Sequence, residues 1–194
     1  MIKMTKKLQE LMDELKKTNA ETFYHSVHVK FLVNRIILLL NAAGTTSYTA
    51  EEVDYICKGA LLHDIGKLYV KNVILTKMSS LSEEEKEAIT KHTRLGFEAI
   101  EGELTEEEYE IIKNICLYHH ERIDGSGYEK LGDLPLYLQI VSVCDVFDAL
   151  NSDRIYRDKI PYNETIAMIE EGKCGYFSKN IIDCLKRATR GLEE

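Results

Sequence analysis

Residues 49–67 read TAEEVDYICKGALLHDIGK, and a helix start and a reactive pair stand together in that one stretch. Thr49 and Glu52 have the spacing of a capping box, in which each side chain takes the other residue's backbone N–H. Behind them the apolar positions keep helical spacing as far as His63-Asp64, with Gly66 and Lys67 just after. A glycine there can end the helix. The same opening recurs at Ser82-x-x-Glu85 and Thr105-x-x-Glu108. Asn19 is placed to cap a helix running to about Ala43, where Gly44 would end it. Pro135 suits the first turn of a helix through Val143 to Leu150, and Asn163 and Ser178 can open two more. Only 2 prolines interrupt 194 residues, so long helices stay unbroken. These signals predict an all-α bundle of about seven or eight helices, with long loops at 68–81 and 121–134. The segment Tyr69 to Leu75 is β-branched enough to be extended.

Composition narrows the function. The chain is 44% apolar and 30% charged, too apolar for disorder. No run of about 18 uncharged apolar residues is available to span a bilayer, and the N-terminus lacks the core of a signal peptide. A cytoplasmic protein without a membrane partner is expected. With 25 basic against 33 acidic residues the net charge is −8, which disfavours DNA or RNA polymers as partners. The five cysteines are odd in number and form no CxxC pair, so they read as small buried apolar residues.

Residues 1–18 stand apart from 19–190. Met1, Met4, Leu8, Leu11 and Leu15 follow a 3-4-3-4 spacing for about two heptads. That N-terminal amphipathic helix either packs on its own domain or forms a seam, which leaves room for a homodimer paired through it.

Histidine placement is the most informative feature. There are 6: His25, His28, His63, His92, His119 and His120. The His63-Asp64 and His119-His120 pairs each fall near the end of an expected helix, where neighbours about 100° apart can grip one metal or touch two. His92 lies between the pairs, and Asp145 follows on a helix. Neutral imidazoles with carboxylates suit Fe, Mn, Co or Zn, and with no CxxC pair the cysteines do not read as a structural zinc site. Lys67, the Gly-rich HHERIDGSGY ending in Tyr128, and Arg154 and Arg157 add cations and an aromatic. That set suits a phosphodiester carrying bases.

In combination these motifs resemble the HD-GYP domain, the bacterial branch of the HD phosphohydrolases that degrades cyclic di-GMP. They are HSVHV, LLHDIGK, ILTK, the KH of ITKHTRLG, HHERIDGSGY, the Asp145 to Arg157 segment, and GYF at 175–177. The resemblance runs from about Glu21 to Ala188 and implies two or three divalent ions, Fe or Mn foremost, with cyclic di-GMP as substrate. By it, His25, His63, Asp64, His92, His119, His120 and Asp145 would be metal ligands. Glu21, four residues before His25, would be the extra ligand of three-metal members. Asp64 would bridge two metals and orient an attacking hydroxide, Lys67 would meet the scissile phosphate, and Tyr128, Arg154 and Arg157 the dinucleotide. The products would be the linear dinucleotide and GMP. Asp148 reads as a carboxylate behind the ligands, and His28 stands where the family has arginine. The Gly-Tyr-Pro signature is Gly127-Tyr128-Glu129 here. Two alternatives stay open: an HD phosphohydrolase of another nucleotide, and a dinucleotide-binding adaptor without turnover.

Overall fold

A computed structural model of the chain describes residues 2–153 and 158–191. Among them the helices are α1 (Lys6–Thr18), α2 (Ala20–Ala42), α3 (Ala50–Leu62), α4 (Asn72–Leu75), α5 (Glu83–Thr90), α6 (His92–Ile100), α7 (Glu106–Tyr118), α8 (Leu136–Asn151), α9 (Tyr162–Glu170) and α10 (Lys179–Ala188). Short 3-10 turns occupy Ile65–Tyr69 and Glu101–Glu103. No strand forms among the described residues. The all-α expectation holds, with more and shorter helices than foreseen.

All three capping boxes form at α3, α5 and α7. The one at α7 does double duty, because Glu108 is also buried against Lys58 on α3, with Lys58 Nζ donating to Glu108 Oε1 at 2.7 Å. Asn19 closes α1, donating its N–H to Leu15 O at 2.7 Å, and opens α2 by accepting Thr22 N–H at 3.0 Å. The two helices therefore meet at a single residue. Gly44, at φ +70°, terminates α2 in the left-handed region that favours glycine.

The Tyr69–Leu75 segment forms no strand, although Val70 has extended backbone. It finishes a 3-10 turn and contains all of α4, with Ile74 N–H donating to Lys71 O at 2.9 Å. Its β-branched residues have no neighbouring strand to pair with, so local backbone bonds prevail. Similarly, Pro161 rather than Asn163 precedes the first residue of α9.

Two apolar cores flank the chemistry. The larger joins α2, α3, α7, α8, α9 and α10 around Val33, Ile36, Ile56, Ile140, Val143 and Leu185. The smaller gathers Leu8, Met12 and Leu15 of α1 against Leu62, Ile65, Phe97, Ile100 and Ile112. The stripe on residues 1–18 is thus buried against its own chain at Leu8, Met12 and Leu15. By length and composition α2 could cross a bilayer, yet Val29, Val33, Ile36 and Ile37 are wholly buried in the larger core.

Candidate metal centre

The ligand candidates lie at helix ends and on two helix bodies. His25 is on α2 and Asp145 on α8; His63 caps the C-terminal end of α3, with Asp64 following. His92 opens α6, and His119 caps α7 with His120 next. Two helices, α3 and α7, thus bring their C-terminal ends here, the negative poles that favour a cation.

The side chains form two groups. Asp64, His92, His119 and His120 make one; His25, His63 and Asp145 make the other. Within each, one ligand atom per residue lies within 4.8 Å of all the rest. Asp64 belongs to both in effect. Its Oδ1 lies 3.2 Å from His92 Nε2 and 3.8 Å from His119 Nε2. Its Oδ2 lies 3.5 Å from His63 Nε2 and 3.8 Å from His25 Nε2. Asp145 spans the same gap, with Oδ1 3.0 Å from His25 Nε2 and Oδ2 3.8 Å from His120 Nδ1. Lys67 donates to Asp64 Oδ2 at 2.5 Å.

Backbone carbonyls orient three of the rings. His63 Nδ1 donates to Ala60 O at 2.8 Å, His92 Nδ1 to Ile89 O at 2.6 Å and His119 Nδ1 to Ile115 O at 3.0 Å. A carbonyl can only accept, so the proton sits on Nδ1 and the Nε2 lone pair faces inward. His25 is held differently. Its Nδ1 meets Asp148 Oδ2 at 2.6 Å, and Asp148 Oδ1 lies 3.3 Å from His28 Nδ1.

Burial pushes His63, His119 and His120 below the ordinary imidazole value, His120 to about 3. Those rings stay neutral, the form a metal binds. Burial also opposes a charge on His25, but hydrogen bonds to Asp145 and Asp148 outweigh it and raise its pKa. Asp64 and Asp145 are held well below the carboxylate range. Burial works against this, and is overcome at Asp64 by Lys67 and His63 and at Asp145 by His25.

The residues fit a metal. Buried polar atoms ordinarily find partners, yet His63 Nε2 and Asp64 Oδ1 are buried here without a hydrogen bond. Both are ligand atoms of the two groups, and a bound cation would satisfy them.

Several supports have roles that their motifs did not disclose. Gly66 is needed for close approach rather than for ending α3: a Cβ there would stand 1.9 Å from His92 O. Arg122 is buried, and its guanidinium donates to His119 O at 3.1 Å, Glu121 O at 2.8 Å, Cys174 O at 3.1 Å and Ser142 Oγ at 3.1 Å. Ser142 Oγ also donates to His119 O. The Arg122 guanidinium lies over the Phe177 ring, and Gly175 leaves room for its side chain. The reach from Arg122 to Ser142 and to Cys174 crosses 20 and 52 residues of chain, so local spacing could not reveal it.

Of the other candidates, Tyr128 lays its ring 4.6 Å from the His120 ring. Glu21 falls outside both ligand groups; it lines a hollow with His25, His28 and Asp148. Arg154 and Arg157 lie outside the described residues.

The HD domain profile matches residues 22–150, a span that holds every member of the two ligand groups. The chain belongs to the HD domain family. Its HD domain is of the HD-GYP type. It is 36% identical over 147 residues to the cyclic di-GMP phosphodiesterase response regulator RpfG of Xanthomonas campestris pv. campestris, covering 74% of this chain and 39% of that protein. It is 35% identical over 140 residues to the 3'3'-cGAMP-specific phosphodiesterase 3 of Vibrio cholerae, covering 71% of this chain and 30% of that one. The chain therefore spans well under half the length of these relatives. The HD fold itself is shared with Bd1817, an HDG"Y"P protein of Bdellovibrio bacteriovorus, at a TM-score of 0.68 and 22% identity over 94% of this chain and 57% of that one.

Proposed function

We propose that this HD-GYP-type domain hydrolyses a cyclic dinucleotide, cyclic di-GMP foremost, to the linear dinucleotide and then to GMP. One observation carries the reading: the Asp64 carboxylate is divided between two groups of buried imidazoles. Divalent ions, Fe or Mn, would be held by those groups and would supply Lewis acidity toward phosphate and an acidified water. The chain's own part is orientation and charge. Asp64 and Asp145 hold the two groups in register, and backbone carbonyls aim the Nε2 atoms. Lys67 keeps an ammonium beside Asp64, where it can meet the negative charge that develops on phosphate. The exposed face of Tyr128 is available for a base to stack on.

A second substrate, 3'3'-cGAMP, is favoured by one observation: identity to the relative named for it nearly equals identity to the cyclic di-GMP relative. Purification without oxygen, metal analysis and a chromatographic assay on both dinucleotides test the proposal. About two metals per chain with turnover of cyclic di-GMP is the expected result. Dinucleotide binding by metal-poor protein without turnover would make the chain an adaptor instead.

A further inference from the structure

The loop carrying Tyr128 is tied to a carboxylate that the chemistry above does not use. Glu121 directly follows His120 and is 1% exposed. Its Oε1 accepts the Glu129 N–H at 2.8 Å, and its Oε2 accepts the Leu131 N–H at 2.8 Å. The residue between these two donors, Lys130, has φ +58°, the one described non-glycine residue in the left-handed region. That single left-handed residue lies between two N–H groups that both reach one carboxylate. Gly127 lies flat on the same side chain, because a Cβ there would stand 2.5 Å from Glu121 Cα and 2.6 Å from its carboxyl group. Tyr128 is thereby fixed between two anchored neighbours and set against His120.

Position 129 is where the Gly-Tyr-Pro signature has proline. Proline has no N–H, so the Glu129 bond to Glu121 depends on this chain's departure from the signature.

We propose that Glu121 is a positioning residue: it holds the 127–131 loop so that Tyr128 faces the dinucleotide, and the Glu129 peptide N–H supplies half of that hold. The proposal deepens the functional reading above and rests on it for the substrate. A charged acceptor lost from a buried site typically changes binding by about tenfold or more.

The test combines amide hydrogen exchange with kinetics on two substrates, cyclic di-GMP and bis(4-nitrophenyl) phosphate, which carries no base for Tyr128. In the native protein the Glu129 and Leu131 amides should exchange slowly. Glu121→Gln, which keeps one acceptor oxygen, should release one of them, and Glu121→Ala both. KM for cyclic di-GMP should rise about tenfold, while kcat and the rate on the base-free ester move far less. Glu129→Pro should show a higher KM than Glu129→Ala, since only the proline removes the N–H. Rapid exchange of both amides in the native protein would overturn the proposal. So would a parallel fall of kcat, KM performance and the base-free rate in Glu121→Gln, which would mark a merely structural residue. Slow amides in a protein that turns over neither dinucleotide would sink the functional reading and leave the hold standing.

Discussion

The two ligand groups differ in what stands behind them. In the Asp64, His92, His119 and His120 group, His92 and His119 lean on main-chain carbonyls, and His119 and His120 are pushed toward the neutral form by burial. In the His25, His63 and Asp145 group, His25 stands between Asp145 and Asp148 and is drawn toward the protonated form. A carbonyl has no charge to offer a proton, whereas a carboxylate does. His119 and His120 are therefore in the form that metal binds, whereas His25 must first release a proton.

The largest effect that tests this contrast comes from the residue both groups share. Asp64→Ala should abolish turnover and strip metal from both groups while circular dichroism still reports a helical fold. Retention of one tightly held ion would show that the groups are independent. Next is Lys67→Ala, which should keep the metals yet lose about a hundredfold in kcat. A rate within threefold of the native protein would make Lys67 an ordinary surface cation.

Asp148→Asn removes the charge behind His25 and should weaken metal binding about ten- to a hundredfold in the second group only. Equal loss from both groups, read by metal-resolved titration, would refute the asymmetry. Acidity gives a gentler version. As pH falls through the raised pKa of His25, a proton competes with metal at Nε2, so the second group should lose up to about tenfold in affinity per pH unit. His119 and His120 of the first group meet no such competition there, His120 being pushed down to about 3. Calorimetric metal titrations at about pH 6 and about pH 8 would expose two slopes or one. The smallest expected change is at Glu21, one turn from His25 but outside both groups. If it serves a third ion, Glu21→Ala lowers metal content by about one per chain and lets linear dinucleotide accumulate. Unchanged stoichiometry would leave Glu21 a helix-start carboxylate.

The fold was legible where its signals are local. Thr49, Ser82 and Thr105 each announce a helix through a partner three residues on, and the structure forms all three boxes. Tyr69–Leu75 misled because β-branched residues report a preference for sheets only when a neighbouring strand exists. The spacing on residues 1–18 was readable as apolar but not as to its partner, which Leu62, Ile65 and Ile112 supply from far along the chain. At the centre, histidine pairing pointed to metal, but Gly66 was understood for the wrong reason. Its constraint comes from the carbonyl of His92, 26 positions away, and is a matter of clearance rather than turn geometry. Asp148, three residues past Asp145, was readable as a carboxylate behind the ligands and does back His25, whereas Ser142 and Arg122 act through contacts that no spacing rule encodes.

Arg122 has a consequence for how the protein is made. Its guanidinium gathers the carbonyls of His119 and Glu121 with that of Cys174, and Phe177 covers it. During synthesis, the backbone beneath the double histidine must wait for some fifty further residues before that clasp can close. A chain truncated ahead of Cys174 should therefore emerge helical but poor in metal.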